Sequence, residues 1–293
     1  MPSIDRAALF RTHRPRLYGI AYRMLGSKAD AEDMLQETYL RWHQANVESI
    51  QTPEAWLVTT ITRLCIDRLR AARVEREAYV GPWLPEPLIE DAYPPPDRQA
   101  ELASDLSVAF LVVLERLAPE ERAAFLLHDV FEAGYGEIAQ ALGKSEDATR
   151  QIVHRARERV RRDRPRFKVS EAARVQLLEK FAAALKTQDQ DALVALFADD
   201  VTWTSDGGGR AKAALKVVTG ADHVARFATG VWRRHVADLT HRPVTINGEA
   251  GLVMCFRGHP VSTIAIETDG VRILAVYTVL NPDKLRDLPS AGE

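Results

Sequence analysis

Six prolines stand between Tyr79 and Pro96: Pro82, Pro85, Pro87 and the run Pro94, Pro95, Pro96. Each fixes φ and removes a backbone donor, so no helix runs through this stretch. The residues on both sides nevertheless recur at helical spacing. In residues 5–78, Leu17, Ile20, Ala21, Met24 and Leu25 form one apolar stripe and Met34, Leu35, Thr38, Tyr39 and Trp42 another, parted by Gly26 and Ser27. The spacing predicts a third helix over 53–72, with Thr52 as N-cap, Pro53 at its first position and Trp56, Leu57, Ile61, Leu64 and Ile66 on its apolar side. A second helical block follows over 105–164, marginal in size at roughly 60 residues. The proline stretch is therefore read as a linker between two helical bodies.

Beyond Val169 the texture changes. Helical spacing persists through 172–185 and 191–197, and then β-formers take over at 244–246, 252–256, 261–266 and 271–280. Turn signals such as Asn247-Gly248 and Asp269-Gly270 lie between them, predicting helices plus a curved antiparallel sheet. The expected fold is thus multidomain: two all-α domains followed by an α+β domain, with boundaries at 1–78, 79–104 (linker), 105–168 and 169–293.

The net charge of −2 over 293 residues excludes a chain that coats nucleic acid by bulk charge, although a local basic patch can hide in that average. Cys65 and Cys255 are the two cysteines, in no metal-ligand spacing, so neither a disulfide framework nor a metal site is expected. The longest apolar runs fall far short of the roughly 20 residues that span a bilayer. A cytoplasmic location, no membrane association and no cofactor are the expectations.

The sharpest local signal is GEIAQALGKSEDATRQIVHR at residues 136–155. Ile138, Ala139 and Leu142 give a short helix an apolar face, Gly143 permits a tight turn, and Ser145 caps a second helix whose first turn carries Glu146 and Asp147. Ala148, Ile152 and Val153 are expected to pack inward, leaving Thr149, Arg150, His154, Arg155 and Arg157 outward, a helix-turn-helix suited to a major groove. From Arg150 to Lys168 nine basic residues face two acidic ones, a local +7 that suits phosphate contacts. Asp30, Glu32, Asp33, Gln36 and Glu37 form an acidic face in the first block, which on its own reads equally well as a solvated helix side. Arg63, Arg68, Arg70 and Arg73 stud the third helix as a second basic surface.

These residues resemble a known family. The stretch 17–42 with its DAEDMLQETYL core, followed by PEAWL at 53–57 and residues 61–70, is similar to region 2 of bacterial sigma factors. Residues 105–164 resemble region 4, and nothing resembling regions 1.1 or 3 lies between, the layout of extracytoplasmic-function sigma factors. The remainder resembles a SnoaL-like domain, the cone-shaped α+β fold of ketosteroid isomerase. Three segments resemble those of the subgroup carrying such a fused extension: Trp83, Leu84, Pro85, Glu86, Pro87 and Leu88; Asp206, Gly207, Gly208, Gly209 and Arg210; and Asn281, Pro282, Asp283, Lys284 and Leu285.

The resemblance implies a transcription initiation factor, not an enzyme, whose partners are core RNA polymerase and promoter DNA. Asp33, Gln36 and Glu37 would dock on the polymerase. Asn46, Glu48 and Gln51, in the loop that captures an extruded base, and Arg63, Arg68 and Arg70 would meet the −10 element. Thr149, Arg150, His154, Arg155 and Arg157 would read the −35 element. The three marked segments would form a regulatory contact between extension and sigma core. Catalysis in the extension would need convergent acids or bases; Asp206, Asp222, His223, His235 and His259 are the candidates, with no diagnostic spacing. An unidentified small-molecule ligand is the alternative use of that domain, with Trp203, Phe227, Trp232, Phe256 and Tyr277 as pocket candidates.

Overall fold

The computed structural model describes residues 5–46, 50–90, 106–163, 169–232, 239–286 and 288, with the side chains of Asp163 and Trp232 left aside. The chain divides into two compact units, Met1–Glu77 with Leu111–Pro165, and Ala78–Phe110 with Arg166–Glu293.

In the first unit, Asp5 caps α1 (Arg6–Leu25) by accepting the Ala7 and Ala8 amides, both at 3.0 Å. The helix ends where Gly26 enters the left-handed region at φ 66° and returns its N–H to the Tyr22 carbonyl. Ser27 then caps α2 (Lys28–Gln44). The third helix, α3 (Pro53–Glu77), runs past its predicted end at Ala72, because Arg76 in the added turn bonds the Leu25 carbonyl at 3.0 Å and pairs with Glu115. Leu17, Ile20, Met24, Trp42, Leu57 and Ile61 are fully buried between these helices.

The second helical block comprises α4 (Val108–Leu114), α5 (Pro119–Phe125), a π-helical turn over Leu126–Val130, α6 (Tyr135–Leu142) and α7 (Glu146–Asp163). From Leu111 onward the second block shares one unit with the first, stitched by arginines. Buried Arg122 reaches the Met24 carbonyl at 2.6 Å and Glu115 at 2.5 Å, and Arg16 reaches the Phe131 carbonyl at 3.1 Å. Burial holds the Arg76 guanidinium below its usual range, with Glu115 opposing that shift.

The second unit takes in the proline-rich segment. Its strand β1 (Ile89–Glu90) is followed by α8 (Glu171–Thr187), α9 (Gln190–Leu196), β2 (Phe197–Asp206), β3 (Val218–Thr219), α10 (Ala221–Trp232), β4 (Leu239–Ile246), β5 (Glu249–Phe256), β6 (His259–Thr268) and β7 (Ile273–Val279). The sheet order is β1-β4-β5-β6-β7-β2-β3. The sheet is mixed where a purely antiparallel one was expected, since β2 pairs β7 in parallel. The connection between those strands carries α10 and the whole β4–β6 meander, so no hairpin dictates their direction. The core lies between the helices and the sheet, with Phe181 packed on Phe197 and Trp203 at centroid distances of 6.1 Å each.

Candidate nucleic-acid interface and linker latch

The helix-turn-helix forms as its sequence requires. Gly143 sits at φ 65°, and the Ser145 hydroxyl accepts the Ala148 amide at 3.3 Å. Ile152, Val153, Ala156 and Val160 are buried, and Glu146, Asp147, Arg150, Gln151, His154, Arg155 and Glu158 are exposed. Arg150 stacks over Tyr135 at 4.4 Å and pairs with Glu146 at 3.4 Å.

Two of the predicted outward residues sit elsewhere. Thr149 is fully buried and its hydroxyl donates to the Ser145 carbonyl at 2.9 Å, because the inward stripe runs 149-152-153-156-160 rather than through Ala148. Arg157 is half-buried, its Nε donating to both Asp129 carboxylate oxygens at 2.8 and 2.9 Å. Gln151 was missed, although its helical spacing beside Arg155 would have marked it.

On α2, Asp33 and Gln36 are exposed one turn apart, and Glu37 is half-buried and paired with Arg41 at 2.7 Å. Leu40, 46% exposed, continues the same face and adds an apolar patch that the acidic reading overlooked. Asn46 and Gln51 are exposed; Glu48 lies outside the described residues.

The third-helix arginines are engaged within their own unit. Arg63 donates from Nε to the Ala141 carbonyl at 2.9 Å and from Nη2 to the Gln140 carbonyl at 2.6 Å, at the C-terminal end of α6 where carbonyls lack helical partners. Arg70 pairs with Glu120 at 2.8 Å, and Arg68 with Asp30 at 2.9 Å and Glu75 at 3.2 Å.

The three marked segments of the second unit converge on one buried carboxylate. Asp206, fully buried at the end of β2, accepts the Tyr79 hydroxyl at 2.6 Å, the Leu84 amide at 2.8 Å and the Lys284 ammonium at 2.7 Å. Its own carbonyl takes the amides of Leu280 at 2.7 Å and Asn281 at 2.9 Å. The Asn281 side chain donates to the Tyr79 oxygen at 2.9 Å and accepts the Asp283 amide at 3.0 Å, capping a short 3-10 turn over Pro282–Lys284. Lys284 also donates to the Leu84 carbonyl at 2.5 Å and lies 4.2 Å from the Trp83 ring centroid.

Arg210 pairs with Asp283 at 3.0 Å, and Leu285 is buried. A Cβ on Gly208, itself at φ 56°, would collide with the Asn281 amide and lie 2.9 Å from the Tyr79 oxygen, so only glycine permits this approach. Burial, and after it the bond to Asp206, push the Tyr79 phenol above its usual range.

Leu84, Pro85 and Pro87 are buried, while Trp83, Glu86 and Leu88 are half-buried. Downstream, Leu88 exchanges two hydrogen bonds with Asn247, at 3.1 Å to its side chain and 2.7 Å from its amide, and β1 then pairs β4 in the register Ile89↔Ile246. The described part of the predicted linker, residues 79–90, is thus fastened to the α+β unit at Tyr79 and Leu84 and again from Leu88 to Glu90.

The described candidate acids and bases are not gathered in one pocket. Asp206 is committed to the latch, Asp222, His223 and His259 are exposed, and His235 lies outside the described residues. Among the described residues no group of His, Cys, Asp or Glu could hold a metal ion, and no helix is long and apolar enough to cross a membrane.

Comparison with known proteins accounts for each part. Residues 9–74 match the model of Sigma-70 region 2, residues 107–160 that of Sigma-70 region 4, and residues 178–281 that of the SnoaL-like domain. The chain is 37% identical to the ECF RNA polymerase sigma factor SigJ of Mycobacterium tuberculosis, over 96% of this chain and 93% of that one. It is 30% identical to a probable ECF RNA polymerase sigma factor, SigI, of the same organism, over 96% and 95%. The crystal structure of the M. tuberculosis SigJ superposes with a TM-score of 0.77 at 35% identity, covering 97% of this chain and 99% of that one. Two sigma regions in order, a helix-turn-helix with an exposed basic face and a SnoaL-like unit make this chain a member of the extracytoplasmic-function (ECF) RNA polymerase sigma factors, promoter-directing initiators of transcription.

Proposed function

We propose that the SnoaL-like unit regulates initiation in cis by governing whether the linker is docked, and so how regions 2 and 4 can be presented to promoter DNA. The observation that carries this reading is Asp206, a buried carboxylate bonded at once to Tyr79, Leu84 and Lys284. Covalent tethering gives even weak docking a high effective concentration.

Asp33, Gln36 and Glu37, extended by Leu40, are the face for core polymerase. Asn46, Glu48 and Gln51 serve base capture at the −10 element. Arg63, Arg68 and Arg70 serve its backbone, and DNA phosphates must compete with the α6 carbonyls that Arg63 now occupies. Arg150, His154 and Arg155 meet the −35 element, with Arg157 and Thr149 bracing the helix that carries them. The protein works in the cytoplasm in this reading, and the scatter of acids and bases supports a non-catalytic extension with a binding cavity.

Transcription reconstituted with purified core polymerase tests the proposal. Truncation after Ser170 changes promoter-dependent output and truncation from Asn281 reproduces that change; unaltered output from both refutes regulation in cis.

A further inference from the structure

The SnoaL-like unit contains a cavity of about 570 Å³, a size that takes a drug-sized ligand. Its walls are apolar, with Leu185, Trp203, Phe227, Ala228, Met254 and Ile264 among them. Of the aromatic candidates from the sequence, Trp203, Phe227 and Phe256 line it, Tyr277 does not, and the Trp232 side chain is not described. Among the described lining residues there is no carboxylate or imidazole, and Lys212 is the one charged side chain.

Thr278 lines the cavity at 5% exposure, and its hydroxyl has no hydrogen-bond partner among the described residues. That hydroxyl is itself sealed off, so Thr278 adds no hydrogen-bonding group to the walls. The Trp203 indole N–H is also out of a ligand's reach, since it is taken by Ser205 at 3.1 Å.

The cavity also shares its walls with the latch. Ala211, Ala213 and Ala214 form one side, and the amides of Arg210 and Ala211 bond the Gly207 carbonyl at 2.9 and 3.0 Å. Gly208 and Gly209, next in that loop, lie against Tyr79 and Val80 of the linker. Leu280 forms another side, and its amide donates to the Asp206 carbonyl at 2.7 Å.

We propose that this cavity binds an amphipathic organic acid, its hydrocarbon or aromatic body inside and its acidic head at Lys212, and that occupancy tightens the hold on the linker. The class follows from the lining: an apolar interior and, among the described residues, a single cation. The coupling follows because a ligand touching residues 211–214 and Leu280 binds them best where the docked linker keeps them. By linkage, ligand and linker then strengthen each other by one common factor. This second half rests on the proposed role of linker docking.

Dodecanoate, below its micelle concentration, and dodecanol are the probes, titrated calorimetrically into the full-length protein. One dodecanoate binds per chain. Lys212→Met weakens dodecanoate but not dodecanol, and Ala228→Trp, which fills the cavity, abolishes both ligands. Hydrogen exchange at the Leu84 and Leu88 amides slows when dodecanoate is bound, by a factor in the range of about 5–150 typical of coupled sites. Tyr79→Phe, which keeps the ring, weakens both docking and dodecanoate binding.

Absent saturable binding, or binding that survives Ala228→Trp, overturns the site. Equal loss of both probes on Lys212→Met overturns the acid as ligand class. Binding without any change at Leu84 and Leu88 overturns the coupling. None of these measurements uses polymerase, so their failure is distinct from failure of the truncation assay.

Discussion

Replacing Asp206 with alanine removes the acceptor of three hydrogen bonds at once, those from the Tyr79 hydroxyl, the Leu84 amide and the Lys284 ammonium. The ammonium stays behind with 12% of its side chain exposed. Stripping one partner from a buried ion pair costs about 3–5 kcal/mol. Lys284 retains the Leu84 carbonyl and the Trp83 ring, which places the loss at the lower end of that range. At about 1.4 kcal/mol per decade, the docked linker becomes less favoured by roughly two orders of magnitude.

The assay is amide hydrogen exchange of the full-length protein, read at Leu88. That amide is bonded to Asn247 and not to Asp206, so it reports docking of the whole segment rather than loss of its own acceptor. Leu88 exchange should accelerate about a hundredfold, in step with the two decades of lost docking. Amides in the β5–β6 ladder should keep their protection. Asp206→Asn, which preserves the shape and removes the charge, should give an intermediate effect. Leu88 exchange within about tenfold of the parent protein, with the sheet intact, would refute Asp206 as the anchor.

Other consequences are open to direct measurement. The double change Arg150→Ala, Arg155→Ala should weaken binding to a −35 duplex and lower the salt slope by about two phosphate contacts; an unchanged slope would remove these residues from the interface. Thr149→Val should reduce stability by about 1 kcal/mol through its lost bond to Ser145, with −35 affinity preserved once folding is matched. Gly208→Ala, forced against Asn281 and Tyr79, should expose the linker to limited proteolysis, whereas Gly230→Ala, with open space around it, should not.

Because its folded-state pKa is raised by burial and by Asp206, Tyr79 should form phenolate only above the usual tyrosine range. Its contribution to docking is complete below the unfolded value of 10.0 and fades as pH rises beyond it. Phenolate absorbance in the parent and Tyr79→Phe proteins checks this, and identical titration curves would contradict it.

Local chemistry carried much of the architecture into the sequence. Gly26-Ser27 ends one helix and caps the next, and Gly143 with Ser145 sets the helix-turn-helix. What the sequence left hidden depends on distant partners. Asp129, which draws Arg157 inward, is 28 residues away, and the α6 carbonyls that engage Arg63 are 77 and 78 residues on. The stripe of α7 was misplaced by one position because alanine at 148 and threonine at 149 differ little in apolar character. The two-residue strand after Leu88 has no periodicity to read, and the parallel β2–β7 pair follows from the route of the chain rather than from either strand. The three marked segments were legible as motifs, but only the fold shows them meeting at one carboxylate.

Distance along the chain also fixes when the latch can close. Tyr79 must wait for Asp206, 127 residues later, and for Asn281, 202 residues later. At translation rates of about 5–20 residues per second, the second wait lasts on the order of 10–40 s. Regions 2 and 4 are synthesised well before the last strand that secures the segment between them. Each newly made molecule therefore passes through a period in which its sigma regions are complete and its linker is unfastened, and the latch is a feature the protein acquires with age.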